Sequence, residues 1–152
     1  MKRTAINFFA AAVLVFGATA AFGQTASSTN TDNVTATVAE ACTIDVFSLA
    51  FGAYDPLGGD VDANTTISIY CTKDMAPTLD LSAGRTITNG TDNLTYSLWS
   101  DAYTTAWTDG VAVGTSTDPT VAMTVDVYGR LAGSQNVSAG SYAGTLNATV
   151  NW

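Results

Sequence analysis

The sequence predicts an antiparallel β-sandwich, and three observations carry the prediction. Apolar residues recur at every second position through several short runs, the spacing of a half-buried strand. Turn signals separate those runs: Pro56 to Gly59, Ala83-Gly84, Asn89-Gly90, Asp109-Gly110, Asp118-Pro119 and Ala139-Gly140. Beyond residue 23 no window carries a helical stripe, while Thr, Val and Tyr are abundant and Lys is nearly absent.

Taken in order, residues 1–23 stand apart from the fold. Lys2 and Arg3 form a basic start, Ala5 to Phe16 is apolar, and Ala21-Phe22-Gly23 is a small-residue cleavage pattern before Gln24. This reads as a secretory signal peptide. The run is interrupted by Asn7 and Gly17 and is short for a bilayer span, so no membrane span is expected after cleavage. Residues 24–40 form an N-terminal extension. It opens on the polar QTASSTNTDN and continues with NVTATVAE, where Val34, Ala36 and Val38 alternate with Thr35 and Thr37.

The domain proper is expected over residues 41–152. After Cys42, TIDVFSLAFG is strand-like up to Gly52. Ile67, Ile69 and Cys71 share a face opposite Thr66, Ser68 and Tyr70. Leu79 and Leu81 alternate around Asp80, and Leu94, Tyr96 and Leu98 around Thr95 and Ser97. Val121, Met123, Val125 and Val127 form the next apolar row. The final run, TLNATVNW, sets Leu146, Ala148, Val150 and Trp152 against Thr145, Asn147, Thr149 and Asn151. Nothing in the sequence follows to cover this strand, so its backbone groups and apolar row are expected to lie on an edge, an aggregation hazard.

Charge and residue inventory exclude much chemistry. Beyond residue 23 only Lys73, Arg85 and Arg130 are basic, against thirteen acidic residues, nearly all Asp. Nucleic acid and anionic membranes, which demand a basic surface, are therefore poor partners. There is no histidine, which removes a Ser-His-Asp triad, a Cys-His pair and a His-based zinc site. No pair of carboxylates is marked out as acid and base, so the chain is not read as an enzyme, and no cofactor is implied.

Cys42 and Cys71 are the two cysteines, and an even pair in an exported chain implies a disulfide. A redox or metal-binding pair would need closer spacing and neighbouring ligands. Asp60-x-Asp62-x-Asn64 has the spacing that opens a calcium loop, but position 71, where the closing Glu belongs, is Cys71. A turn with exposed acids is preferred, and no metal is expected. Asn-x-Ser/Thr triplets at Asn33, Asn64, Asn89, Asn93, Asn136 and Asn147 are what an Asn- and Thr-rich sequence produces by chance. Trp99, Tyr103 and Trp107 lie in a turn-rich stretch. They are candidates for stacking on a sugar, although aromatics so placed more often cap the end of a core.

These residues assemble into a pattern. Cys42-Thr43-Ile44 is followed by Leu49 to Pro56 (LAFGAYDP) and by Ile67 to Thr72 (ISIYCT). Then come Leu94 to Leu98 (LTYSL), Trp107, Val127-Tyr128-Gly129-Arg130, and Ala139 to Tyr142 leading into the terminal strand. The chain resembles the spore coat protein U domain, the building block of archaic chaperone–usher pili in Gram-negative bacteria. It departs from that pattern at Lys73-Asp74 and at Gly144, both in turns.

The resemblance implies an immunoglobulin-like sandwich that lacks its final strand and keeps a groove along its core. It implies a periplasmic chaperone that fills the groove during export, and an outer-membrane usher where a sibling subunit's extension replaces the chaperone, giving a homopolymer or mixed fibre at the cell surface. That exchange is a form of β-strand addition. On this reading Val34, Ala36 and Val38 belong to the donor strand, and Leu146, Ala148, Val150 and Trp152 to the last strand beside the groove. The function expected is a structural pilus subunit supporting adhesion or biofilm. A carbohydrate-binding adhesive module, and a spore-coat or matrix component, are the alternatives. The extension folding back as an ordinary first strand of its own sandwich is a further one, which alternation alone does not exclude.

Overall fold

The computed structural model describes residues 28–82 and 84–152. The expected signal peptide, residues 1–23, lies outside the described residues. The fold is carried by one compact unit, Thr37–Trp152, while residues 28–36 belong to a separate unit. In that stretch Val34 and Ala36 are exposed and no strand forms.

Among the described residues eight strands build the sandwich: β1 (Cys42–Ile44), β2 (Val61–Cys71), β3 (Thr78–Ser82), β4 (Thr86–Thr88), β5 (Asn93–Trp99), β6 (Val111–Ala112), β7 (Met123–Leu131) and β8 (Asn147–Asn151). One sheet has the order β1-β2-β7-β5-β4 and the other β6-β3-β8, and every pairing is antiparallel. The architecture is an immunoglobulin-like antiparallel β-sandwich.

The period-two runs do what their pattern predicts, except that Val121 lies in the turn before β7, its N–H donating to Asp118 O, and is exposed. Ile67, Ile69 and Cys71 from β2, Leu94, Tyr96 and Leu98 from β5, and Val125, Val127 and Leu131 from β7 are buried. They pack against Leu79 and Leu81 of the facing sheet in one hydrophobic cluster. Each such side chain contributes about 1.5–3 kcal/mol on full burial. Register follows from that burial: a slip of one residue of β2 against β7 would turn the β2 row of Ile67, Ile69 and Cys71 away from the core.

Cys42 and Cys71 are direct partners in the β1–β2 ladder and form a disulfide. The bond holds a strand of three residues whose pairing alone is meagre. The chain before it is also fastened here. Thr72 Oγ1 donates to the Ala39 carbonyl at 3.2 Å and accepts from Ala41 N at 3.1 Å, and Thr72 N donates to the Ala41 carbonyl at 2.9 Å.

The structure differs from the expectation over TIDVFSLAFG. Its strand ends at Ile44, and after Asp45 N, which donates to Ser68 O at 3.0 Å, no backbone hydrogen bond joins Val46–Tyr54 to another strand among the described residues. Phe47, Leu49 and Phe51 nevertheless turn inward at every second position. The alternation reports burial of one row; the ladder also needs a neighbour, and none pairs here.

Candidate functional site

The site grows from the free edge of β8. Its apolar row faces the core, with Val150 opposite Leu79 and Ala148 opposite Leu81, while Asn147, Thr149 and Asn151 are exposed. β8 is the last strand of its sheet, so along its other edge no strand pairs with it among the described residues. Leu146 precedes the strand and is half-buried. Trp152 lies just beyond it and is 60 % exposed, so it does not continue the inward row.

Beside the approach to β8 lies a cleft of about 740 Å³, continued by a smaller hollow of about 220 Å³ that reaches Leu146. One wall is the unpaired segment 47–56, the other is residues 137–146, and Ile87, Leu94, Tyr96 and Leu131 form the floor. Two stretches of backbone thus face each other with an apolar floor between them, a shape that suits an extended chain.

Each wall is fixed by specific contacts. A Cβ on Gly129 would lie 2.8 Å from Leu49 Cδ2 and 2.9 Å from Phe51 Cζ, so glycine is what lets the first wall settle on β7. The Phe51 ring packs against Tyr96 at 5.6 Å between centroids. Tyr54 donates its hydroxyl to the Ala132 carbonyl at 2.9 Å and accepts from Gln135 N at 2.9 Å.

On the second wall, Asp92 Oδ2 accepts from Ser138 N at 2.8 Å and from Ser138 Oγ at 2.6 Å. Those bonds hold the Asp92 carboxyl below the usual carboxylate range. Asn89 donates to the Tyr142 hydroxyl, which donates to the Ser138 carbonyl, and Thr88 pairs with Ala143. Gly144, in the second departure from the family pattern, is confined: a Cβ there would lie 2.9 Å from Ile87 Cγ2 and from Thr86 O.

The remaining sequence candidates are placed as follows. Val38, like Val34 and Ala36, is outside any strand, and it is 80 % exposed. Trp107 is turned into the core, 9 % exposed, with its Nε1 unpaired among the described residues. It is therefore not presented to a sugar alongside Trp99 and Tyr103. The physical reason is the sandwich end: Trp107 N donates to Leu98 O, which seats the indole over the buried row of β5.

Tyr103 instead meets residues that sequence reasoning did not group with it. Its ring packs edge-on to Tyr128 at 5.5 Å and beneath the Arg130 guanidinium at 4.5 Å. Arg130 also forms a two-pronged pair with Asp62, at 2.6 and 2.8 Å. Arg130 lies opposite Asp62 in the β2–β7 register, a relation invisible until the strands are paired. Asp62 is thus engaged, and Asp60 accepts from Gly133 N at 2.8 Å. Along a strand, residues two apart stand some 6.6 Å from one another, so Asp62 and Asn64 do not wrap an ion. No group of residues suited to holding a metal occurs among the described residues, and no described helix is long and apolar enough to cross a membrane.

Comparison with known proteins accords with this geometry. The chain is similar to one chain of the crystal structure of the CsuC–CsuE chaperone–tip adhesion subunit pre-assembly complex, from archaic chaperone–usher Csu pili of Acinetobacter baumannii. The TM-score is 0.60 at 16 % sequence identity, over 76 % of this chain and 40 % of that one, a likeness of fold. This chain thus spans well under half the length of that neighbour. Among curated proteins no match is found. The family model of the Spore Coat Protein U domain matches residues 28–149. The chain is a member of the Spore Coat Protein U domain family.

Proposed function

We propose that the protein is a non-enzymatic structural subunit of a chaperone–usher surface pilus and polymerises by donor-strand exchange. The observation that carries this reading is the cleft between segment 47–56 and residues 137–146, floored by apolar side chains, next to a β8 that no strand pairs on its outer edge among the described residues. The occupant in the fibre is the extension of a sibling subunit, whose Val34, Ala36 and Val38 enter on one face. Before assembly a periplasmic chaperone supplies the strand, and an outer-membrane usher exchanges it for the sibling's. Family membership and the fold neighbour support the choice of partners.

The energetics are adequate. Each valine buried contributes about 1.5–3 kcal/mol, and each backbone hydrogen bond about 0.5–1.5 kcal/mol net. Over a strand these sum to a long-lived joint. Because donor and acceptor surfaces differ, the contact is head-to-tail and propagates into a fibre at the cell surface.

Unboiled samples in detergent are expected to run as a ladder that collapses to monomer on heating. Deleting residues 24–38 leaves a chaperone-binding protein that does not polymerise; a ladder from the deleted protein would remove the extension from this role. The adhesive-module reading loses its three-residue stacking surface, because Trp107 is enclosed in the core.

A further inference from the structure

The two ends of the sandwich differ in what they expose. β2 runs from Val61 to Cys71, so the turn 55–60 caps one end and the Thr72–Lys73 turn the other. The wide part of the cleft, which reaches Tyr54 and Pro56, opens at the first end. Toward the other end only the smaller hollow continues, as far as Phe47 and Leu146, and beyond it β1 comes close to β8. On the strand-exchange reading, on which this inference rests, the donor's body has room only beyond the wide end.

The tether is short. Val38 is the last apolar residue of the donor row, and Ala39 and Ala41 are already bonded to Thr72 of their own domain. An extended residue spans about 3.4 Å, so hardly any slack separates the inserted strand from the donor's Thr72–Lys73 turn. That turn must therefore lie against the acceptor's 55–60 turn.

Both turns carry what such a contact needs. Leu57 is 96 % exposed, yet it sits on a fixed tip: its N–H donates to Asp55 Oδ1 and Gly58 N donates to Asp55 O, each at 2.9 Å. A rigid, fully exposed leucine flanked by Asp55 and Asp60 is a small apolar and acidic knob. On the opposite turn Lys73 is exposed and is the sole lysine after residue 23. It has no ion pair among the described residues, whereas Arg130 is paired to Asp62 at 2.6 Å and to Asp60 at 3.8 Å, which leaves Asp55 as the carboxylate of the 55–60 turn without a cation among the described residues, and Arg85 donates to the Leu81 carbonyl. The turn bearing Lys73 is held by Asp74 N donating to Ser116 O at 2.7 Å.

We infer that the joint between successive copies has a second contact besides the exchanged strand: Lys73 of the donor subunit seats on the Asp55–Asp60 turn of the acceptor, against Leu57. The contact sets the angle between neighbouring subunits and makes the joint stiff.

Zero-length carbodiimide coupling of assembled fibres tests this, because one lysine ammonium after residue 23 is present to react. Peptide mapping of fibres from mixed light and heavy-isotope protein is expected to find Lys73 joined between chains to Asp55 or Asp60. Lys73→Arg abolishes that link while the unboiled ladder persists. Leu57→Asp, at a position too exposed to affect folding, lowers the temperature at which the ladder collapses. A ladder whose Lys73 couples to no carboxylate of the 55–60 turn overturns the second contact and leaves strand exchange standing. A protein that gives no ladder at all removes both.

Discussion

Gly129 shows how much a single position decides. The Val127-Tyr128-Gly129-Arg130 stretch reads as ordinary strand, and β7 indeed carries it. Only the packing reveals that a side chain at 129 would collide with Leu49 and Phe51, the residues that form one wall of the cleft. Gly129→Ala is expected to destabilise the fold by about 1–3 kcal/mol, the usual cost of overpacking. It should also weaken assembly more than Ala at Gly59, where an added Cβ meets nothing. Thermal melting and the ladder assay together read both effects.

Asp101 offers a test of electrostatics at the same scale. The Thr105 side chain, then its N–H, then Thr104 hold the carboxyl down to about 2 from its ordinary 3.8, with Oδ1 accepting from Thr105 N at 2.7 Å and from Thr104 N at 3.0 Å. A depressed carboxylate lends stability that is complete above its unfolded value and is lost as pH falls through the folded one. For Asp101 that window runs from about 4 down to about 2. Carboxyl NMR titration should show Asp101 protonating below its ordinary value, and Asp101→Asn should remove this contribution to acid stability. An Asp101 midpoint at the ordinary value would refute the assignment.

At the scale of elements, β1 depends on its bond to β2. Three paired residues give few hydrogen bonds, and the Cys42–Cys71 bridge closes a loop with a sequence separation of 29. Replacing both cysteines by serine should cost about 3–4 kcal/mol in the chain-entropy account, measurable by denaturant titration. The same change loosens the place where β1 comes close to β8. β8 and its approach allow a sharper contrast. Leu146 lines the cleft and Asn147 points to solvent. Leu146→Asp is expected to abolish the ladder and Asn147→Asp to preserve it; equal tolerance of both would mean the cleft is not the acceptor.

For the whole molecule, the proposed function implies a fibre with two kinds of bond at each joint. On that proposal the inserted strand would supply strength through burial and backbone pairing, and the turn-to-turn contact would supply direction. β8 is an edge strand, and such an edge invites indiscriminate pairing. The proposed sequence of a chaperone strand followed by a sibling strand would cover it at each stage.

The sequence by itself determined the class of fold, the inward rows of β2, β3, β5 and β7, and the disulfide. These are local matters: a period of two and a turn residue act over a few positions, and burial of one face leaves little choice of register. Three things were decided only by the tertiary structure. Segment 46–54 keeps an inward row without a ladder, because no strand of the domain lies beside it. Trp107 joins the core while Tyr103 joins Arg130, because the loop joining β5 to β6 folds over the sandwich end. The cleft itself exists because Gly129 and Gly144 admit close approach on either wall. Such contacts join residues far apart in the chain, and alternation carries no information about which of them will meet.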